Sequence, residues 1–228
     1  MNRIKELIYK HPVTFRLATK IFNYLNIRNR LYARGVKLSA GVALLQGVRI
    51  VCNGVDNEVK LGDYVRMKNC TIVIRGSHNR IYIGDRCVLQ EIEFCIEDDN
   101  NEIRVGNKTE MYGFSHFAAI EGTKILIGSD CLFSSGLHFR TGDSHSIFDF
   151  NGKRTNISRN IVIGDHVWVG TRVTCLKGVY VGRDSVVAAT TTLCKEYNQE
   201  NIIIGGVPGK IIKTEIKWGH DRVIEKNI

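Results

Sequence analysis

The sequence predicts an all-β solenoid in which short parallel strands form three-sided coils. An aliphatic residue followed by glycine recurs at intervals of 22, 22, 22, 36 and 18 residues, with its first members at Leu61, Ile83, Val105, Ile127, Ile163 and Val181. Counted in steps of six from each motif, the first residue of a hexad is aliphatic and the fifth is small. Hexads of this kind are a signature of β-helices, in which three hexads form one coil.

The coils follow from the hexads in order along the chain. Each side of a coil is one short strand with its turn, and coils stack at the strand spacing of ~4.8 Å. From about Leu38 to Ile204 there is room for about seven or eight coils, each of which buries its apolar face against its neighbours. The fifth positions are small enough for a tight corner: Val65, Cys87, Thr109, Cys131, Val167 and Ser185.

Intervals longer than 18 residues predict loops at the corners. Each 22-residue coil carries four additional residues, in stretches such as 75–79 and 97–101, whose Gly, Asn and Asp favour turns. The 36-residue interval has a surplus of 18 residues, at roughly 141–159. Functional residues concentrate in long loops on rigid scaffolds, so we expect the site in this loop.

Segments outside the repeat predict helical additions at both ends of a solenoid over residues 36–213. In residues 1–35, apolar residues recur at helical spacing beside basic ones: Phe15, Ala18, Ile21, Phe22 and Leu25. We expect this helix to cap the open end of the solenoid, and the alternative is a basic amphipathic helix that lies on an anionic membrane surface. Residues 214–228, which include Ile216 and Trp218, predict a short C-terminal helix that packs near the other end.

Composition narrows the classes of partner and compartment. The formal charge of +9 and the pI near 9.3 indicate an anionic partner. The basic residues are spread along the chain and form no common nucleic-acid module, so a phosphorylated cofactor or an acidic glycan is expected instead of nucleic acid. Seven cysteines without a C-x-x-C pair argue against a disulfide framework. With no signal-peptide core and no long apolar run, we expect a soluble cytoplasmic protein.

The long loop contains a candidate general base. His145 lies among hydroxyl and carboxyl side chains where no packing pattern requires a histidine. An imidazole titrates near neutral pH and can accept the proton of an alcohol, and Asp143 or Asp149 would hold its tautomer. A surface histidine in a polar loop is the alternative. Ser144 is a weak candidate nucleophile, because no nucleophile-elbow pattern surrounds it.

Three aromatic or imidazole side chains are expected on the outer surface. Trp168 precedes the inward Val169, so strand alternation turns its indole outward, as a platform for a sugar or a cofactor or as a subunit contact. His116 and His138 are one 22-residue coil apart and are expected to stack on an outer face. A polar ladder or part of a substrate groove is favoured over a metal pair, because no third ligand occurs at matching register.

These features together resemble a known family. The hexads, the histidine loop, Val167-Trp-Val-Gly170 and the closing Gly205-Gly-Val-Pro-Gly-Lys210 are similar to the left-handed β-helix acyltransferases. The similarity is strongest to the galactoside and maltose O-acetyltransferases and their capsular-polysaccharide and sialic-acid relatives, and it covers about residues 38–213. It implies a left-handed parallel β-helix, against the usual right-handed crossover. It also implies a homotrimer with active sites between neighbouring solenoids, acetyl-CoA as co-substrate and no metal.

The resemblance also implies roles for single residues. His145 falls on the family's catalytic histidine, with Asp143 as its carboxylate, and His116 and His138 are candidates for substrate binding. The positions that match the cofactor and acceptor site are Trp168, Thr171 and Ala189, and those near the cofactor phosphates are Lys195, Lys210 and Lys213. The sequence Asp143-Ser-His145-Ser-Ile is closer to the polysaccharide-modifying relatives than to the simple-sugar transferases.

The expected function is acetyl-CoA-dependent O-acetyl transfer to a sugar hydroxyl, in a surface polysaccharide or its precursor, by direct transfer with a histidine base. One alternative is N-acetylation of a nucleotide-linked amino sugar. A zinc enzyme like the γ-type carbonic anhydrases and a non-catalytic solenoid are the more remote alternatives.

Overall fold

The computed structural model describes residues 12–221, which form a three-sided solenoid with strands β1–β24, numbered in chain order, and helix α1 (Pro12–Leu25). Sheet I contains β1 (Val36–Ala40), β4 (Asn57–Leu61), β7 (Arg80–Ile83), β10 (Glu102–Val105), β13 (Lys124–Ile127), β16 (Ile161–Ile163), β19 (Tyr180–Val181) and β22 (Glu196–Tyr197). Sheet II contains β2 (Leu44–Gln46), β5 (Arg66–Lys68), β8 (Val88–Gln90), β11 (Glu110–Met111), β14 (Leu132–Phe133), β17 (Trp168–Val169), β20 (Val186–Val187), β23 (Ile203–Gly205) and β24 (Lys210–Lys213). Sheet III contains β3 (Arg49–Asn53), β6 (Thr71–Arg75), β9 (Ile92–Glu97), β12 (Ser115–Ile120), β15 (His138–Arg140), β18 (Thr174–Cys175) and β21 (Thr192–Leu193).

Strands of successive coils pair in parallel and in register. Ile103 of β10, for example, lies between Ile81 and Ile125 of the neighbouring coils. Among strands β1–β24, the antiparallel pair is β23 with β24, where the chain folds back at the end of sheet II. The predicted parallel β-helix and its number of coils are therefore confirmed.

The core is a stack of aliphatic and aromatic layers inside the three sheets. Corner residues are fully buried where the repeat predicts small side chains, at Val65, Cys87, Thr109, Cys131, Val167 and Ser185. Under the long loop the core becomes aromatic, and the ring of Phe117 lies 4.9 Å from Phe139 and 5.7 Å from Phe94. None of the seven cysteines is paired.

Side-chain ladders satisfy the backbone at two of the three corners. Between sheets I and II, Asp63 N donates to Asp85 Oδ1 of the next coil at 2.8 Å, and Asp85 N donates to Asn107 Oδ1 at 2.8 Å. Between sheets III and I, Asn79 and Asn101 form a buried ladder with the same 22-residue spacing. The Asn79–Asn101 ladder gives partners to turn amides that would otherwise be buried without one. The four-residue additions lie at the corner between sheets III and I, and the long loop 141–159 leaves from the same corner, between β15 and β16.

Helix α1 confirms the helix expected in residues 1–35, of which residues 1–11 lie outside the described part. The helix lies against the first coil, where Asn23 Nδ2 donates to Ala43 O at 2.8 Å and Leu45 N donates to Asn23 Oδ1 at 2.9 Å. The open end of the core is covered not by the apolar side of this helix but by Leu31 and Ala33, which pack against the core. The helix contacts the coil through polar side chains, and the helical cap expected over residues 1–35 stays a prediction.

The C-terminal segment differs from expectation. Residues 214–221 form no helix, and residues 222–228 lie outside the described part. Ile216 exchanges backbone and side-chain hydrogen bonds with Asn201, and Trp218 Nε1 donates to His166 O at 2.9 Å. These two anchors are two residues apart, which is the side-chain period of extended chain and not of a helix. No helix within residues 12–221 is long and apolar enough to cross a membrane.

Candidate active site

The long loop is a hairpin with its own internal hydrogen bonds. Phe148 and Arg154 form an antiparallel bridge, and Asp149 Oδ1 accepts hydrogen bonds from the backbone N–H groups of Asn151 and Lys153, both at 2.9 Å. Asp149 is therefore the cap of the hairpin turn, which corrects the expectation that its carboxylate could hold the histidine tautomer.

A carboxylate at the end of β12 fastens the foot of the hairpin. Glu121 accepts a hydrogen bond from Ser158 Oγ at 2.7 Å and pairs with Arg154 Nη2 at 2.8 Å. The hydrogen bond from Ser158 and the pairing with Arg154 lower the pKa of Glu121. Arg159 N donates to Thr141 O at 2.9 Å and closes the base of the loop. The base of the loop is thus held to the solenoid by hydrogen bonds and an ion pair.

Asn156 is the centre of the loop and was not foreseen from the sequence. Its side chain is buried, and Nδ2 donates to His145 O at 2.7 Å and to Asp143 Oδ2 at 2.8 Å. Its Oδ1 accepts a hydrogen bond from Ile147 N at 2.8 Å. One amide therefore holds the backbone at the candidate base and two residues after it, and the Asp143 side chain before it.

Asp143 supports the loop backbone instead of the imidazole. Its carboxylate contacts Lys177 Nζ, and Lys177 also donates to Asn156 O at 3.0 Å. The hydrogen bond from Lys177, followed by that from Asn156, lowers the pKa of Asp143. The expected contact between Asp143 and the His145 ring is corrected, because both partners of this carboxylate lie elsewhere.

The ring of His145 is exposed and makes no hydrogen bond or ion pair with residues 12–221. Its backbone is fixed through Asn156, so the imidazole is presented to solvent from a held position. Ser144 next to it accepts a hydrogen bond from Arg140 Nη2 at 2.5 Å, and its backbone is left-handed, with φ of 62°. The serine is therefore placed toward Arg140 and not toward the histidine.

The two histidines of sheet III stack as expected. The rings of His116 and His138 are 5.3 Å apart with planes 13° from parallel, and His116 Nδ1 is 2.9 Å from Glu93 Oε2. Burial, then the neighbouring His116 and Arg140, lowers the pKa of His138, because all three disfavour its charged form. The ladder is a half-buried polar strip between the loop and the corner where sheets II and III meet.

Potential metal ligands gather away from this ladder. Within residues 12–221, three such side chains have ligand atoms within 4.8 Å of one another: Asp130, His166 and His220. His116 and His138 do not belong to this group.

Trp168 lies on the outer face of β17 as the alternation predicts, with 40% of the residue exposed. Its ring is 6.1 Å from that of Trp218, which stacks on His166 at 4.1 Å. His166 Nδ1 in turn contacts Asp184 Oδ1 at 3.0 Å. The C-terminal segment thus supports the exposed tryptophan from one side.

A column of small residues crosses the outer face of sheet II beside Trp168. A Cβ on Gly170 would lie 2.7 Å from Ala189 N, and one on Gly205 would lie 3.0 Å from Ile212 Cδ1 and 3.5 Å from the Ala188 side chain. A side chain at Gly170 would therefore collide with the backbone of the next coil, and one at Gly205 would press on β24. The column of Gly170, Ala188 and Gly205, called the trough below, carries no side chain larger than a methyl group.

The residues expected to bind the cofactor lie in two places, at one corner and on β24. Thr171 and Ala189 lie on successive coils where sheets II and III meet, and Lys210 and Lys213 are exposed on β24. Because Trp168, Val186, Ile203 and Lys213 are opposite one another on successive strands, Lys213 is about 14 Å from Trp168 along the sheet.

Lys195 departs from this group. It follows β21 at the corner between sheets III and I, with Nζ 5.8 Å from the Tyr197 ring centre. The loop with His145 and Asp143 leaves from that same corner two coils earlier. Within one chain, the candidate base therefore lies at one edge of sheet III, and Trp168 and the β24 lysines lie beyond its other edge, on sheet II.

A pocket of about 510 Å³ opens on sheet I at the foot of the loop. Its lining combines one aromatic ring with polar side chains, among them Arg159, Asn160, Tyr180, Glu196 and Asn198. A tyrosine with one apolar face and a polar tip suits a sugar ring. The pocket gives room for a sugar unit next to the loop.

Known proteins share parts of this sequence. Residues 160–194 match the hexapeptide repeat of succinyl-transferase. The polysialic acid O-acetyltransferase of Neisseria meningitidis is 32% identical over 108 residues, which are 47% of this chain and 50% of that protein. The putative lipopolysaccharide biosynthesis O-acetyl transferase WbbJ of Escherichia coli K12 is 36% identical over 118 residues, covering 47% and 57% respectively. The chain spans about half the length of the curated relatives it matches.

Solved structures share the whole architecture. The polySia-specific acetyltransferase NeuO superimposes with a TM-score of 0.77 at 27% identity, over 84% of this chain and 88% of that chain. The polysialic acid O-acetyltransferase OatWY gives 0.69 at 27% identity, over 86% and 89%. The fold is thus the left-handed β-helix built from hexapeptide repeats. In sequence and in fold the chain is thus similar to hexapeptide-repeat acetyltransferases.

Proposed function

We propose that the protein transfers the acetyl group of acetyl-CoA to a hydroxyl of a sugar, in a surface polysaccharide or its precursor. The observation that carries the proposal is the exposed imidazole of His145, which has no side-chain partner among residues 12–221 and whose backbone is held by the buried Asn156. The support from relatives is that two solved structures with TM-scores of 0.77 and 0.69 are named as polysialic acid acetyltransferases.

In the proposed reaction, His145 of the loop is the general base. Acetyl-CoA supplies the thioester carbonyl. His145 accepts the proton of the acceptor hydroxyl as its oxygen forms the new ester bond, the carbon–sulfur bond breaks, and the proton passes to the departing thiolate. No acyl-enzyme is required, because the base acts directly on the acceptor. Proton transfer of this kind contributes about 10² to 10⁴ in rate.

The proposed path of acetyl-CoA is the trough on sheet II. No side chain there is larger than the methyl group of Ala188, and Trp168 stands at its start. Lys210 and Lys213 offer exposed cations to phosphates at the other end, since lysine binds phosphate as a point charge.

The active unit is proposed to be a homotrimer. One chain holds the base and the trough on different corners, so a complete site needs His145 of one copy beside the trough of the next. The hairpin carries the exposed apolar side chains Ile147, Phe148 and Phe150, which a neighbouring copy would cover. We place the protein in the cytoplasm, where acetyl-CoA is available and seven unpaired cysteines remain reduced.

The proposal is tested by thiol release from acetyl-CoA with a panel of acceptors: sialic-acid polymers, lipopolysaccharide oligosaccharides and amino sugars. His145→Ala is expected to lower kcat by about 10² to 10⁴ with the fold retained. The control is His78→Ala, which removes an exposed histidine that pairs with Asp56 on another coil. Near-normal turnover of His145→Ala would remove the assignment of the base. Reaction with amino sugars alone would make the enzyme an N-acetyltransferase.

A further inference from the structure

The net positive charge of this protein comes from the first quarter of its sequence. Residues 1–55 contain ten Lys and Arg and one acidic residue, Glu6, so they carry a formal charge of +9. Residues 56–228 contain 22 basic and 22 acidic residues and are neutral. Basic residues occur along the whole chain, but acidic ones are missing from residues 7–55. The field of the molecule is therefore strongly positive at one end of the solenoid.

Helix α1 is oriented with its polar side toward the protein. Thr19 is buried with 5% exposure, and Asn23 binds the backbone of the first coil. At about 100° per residue, Leu17, Ile21 and Tyr24 lie on the opposite side of the helix. A helix that packs on a globular core normally does the reverse and buries its apolar stripe.

The outward side is apolar and uncovered in the described chain. Leu17 is 60% exposed, Ile21 50%, Tyr24 88% and Leu25 66%. The segment that follows adds the exposed Ile27. Apolar side chains exposed together in this way mark an interaction surface, unlike single apolar residues scattered on a surface.

Exposed basic side chains lie on the helix and in the segment that follows it. Lys20 lies on the helix, and Arg28, Arg30 and Arg34 follow within the next turns of chain, all exposed. Among the cations of residues 12–55, the one ion pair in the described structure is Arg16 with Asp63 at 3.8 Å, between two exposed side chains. These positive charges are thus available to an external anion.

We propose that this N-terminal surface, formed by Leu17, Ile21, Tyr24 and Leu25 with Lys20, Arg28, Arg30 and Arg34, docks in the headgroup region of an anionic lipid bilayer. An interfacial helix inserts its apolar side while neighbouring cations attract anionic lipids. Both components are present here. The inference is independent of the proposed acetyl transfer and concerns where the protein works.

Two other occupants fit the surface less well. A second copy would bring two segments of the same high positive charge together, and like charges in an interface oppose association. A soluble acidic polymer would use the arginines but would leave the apolar strip in water. A bilayer surface satisfies both halves of the patch.

The test is sedimentation of the full chain with vesicles of phosphatidylcholine alone or mixed with phosphatidylglycerol. One variant removes the strip, Leu17→Gln/Ile21→Gln/Leu25→Gln, with glutamine chosen because it is a good helix former. The other removes cations, Arg28→Gln/Arg30→Gln/Arg34→Gln. Matched controls on the solenoid are Val55→Ser for an exposed apolar residue and Arg86→Gln/Lys108→Gln for exposed cations.

The parent protein is expected to sediment with the anionic vesicles and to remain in the supernatant when mixed with the neutral ones. Each cation contributes about fivefold to binding of an anionic surface, so the triple arginine variant should bind on the order of a hundredfold more weakly. Loss of the apolar strip should weaken binding by a similar order. The controls should bind like the parent, and all variants should keep the parent's circular dichroism and its thiol release with a soluble acceptor.

Three results would overturn the inference. The first is a parent protein that does not sediment with anionic vesicles. The second is a strip variant that binds vesicles normally while the arginine variant loses both vesicles and a soluble sialic-acid polymer, which would identify a polyanion site. The third is a strip variant with a lower oligomeric mass by light scattering, which would assign the strip to contacts between copies.

Discussion

Removal of the Asn156 side chain tests the central claim that the loop backbone holds His145 in place. Asn156→Ala deletes three short hydrogen bonds, to His145 O at 2.7 Å, to Asp143 at 2.8 Å and from Ile147 N at 2.8 Å, besides a longer one from Arg154 Nε at 3.3 Å. At about 1 kcal/mol for each bond, the held form of the loop loses ~3 kcal/mol relative to open forms. A loss of this size lowers the fraction of competent loop by up to about a hundredfold.

The change should act on turnover and hardly on the fold. The three bonds lie within the loop and not in the coil ladders, so the thermal transition of the solenoid should remain within a few degrees of the parent. The assays are kcat by thiol release and hydrogen exchange of residues 143–157. The matched control is Asn151→Ala, which removes an exposed amide at the tip of the same hairpin.

The reasoning would be refuted by an Asn156→Ala protein with parental kcat and parental exchange in the loop. A parallel fall of kcat in Asn151→Ala would also refute it, since a general sensitivity of the hairpin would then explain the effect. Faster exchange together with unchanged kcat would separate the order of the loop from catalysis and would remove the positioning role.

Three further predictions concern the assembly, the ion pair and the core. If each site joins His145 of one copy to Trp168 of the next, a trimer reassembled from equal amounts of His145→Ala and Trp168→Ala subunits should regain about one quarter of parental activity, whereas sites within one chain would regain none. The lowered pKa of Asp143 means that its contribution to loop order is present above the ordinary carboxyl pKa and is lost as the pH falls through the lowered value. Lys177→Met should therefore raise the NMR titration midpoint of Asp143, and an unchanged midpoint would contradict the pairing. Phe117→Ala, at a fully buried ring, should lower the free energy of unfolding in denaturant by ~3–5 kcal/mol.

Periodicity allowed the fold to be predicted from the sequence almost completely. Equivalent positions of successive coils have the same environment. Ile103 points inward and Thr109 occupies a tight corner, as do their counterparts in the other coils. The histidine stack was predictable for the same reason, because parallel register makes His116 and His138 neighbours. The position of the long loop followed from the single interval that breaks the pattern.

Contacts that cross between coils outside the repeat were not predictable. Lys177 reaches Asp143 from the following coil, 34 residues further along the chain, and no spacing rule connects them. Asp143 therefore seemed free to pair with its sequence neighbour, His145. The C-terminal segment was assigned to a helix from its apolar residues, although Ile216 and Trp218 are anchored at the period of extended chain. The polar inner side of helix α1 was not predictable either, because the spacing of its apolar residues does not show which side of the helix faces the coil.

The constant pitch of the coils makes this solenoid a spacer of discrete length. Helix α1 contacts β2 in the first coil, and the histidine loop leaves after β15, the fifth strand of sheet III. Four steps of ~4.8 Å put about 19 Å between these two features along the axis. Since the corner ladders repeat from coil to coil, inserting or deleting one coil would raise or lower the loop by one step and leave both ends intact. The number of coils therefore determines the distance along the axis between helix α1 and the histidine loop.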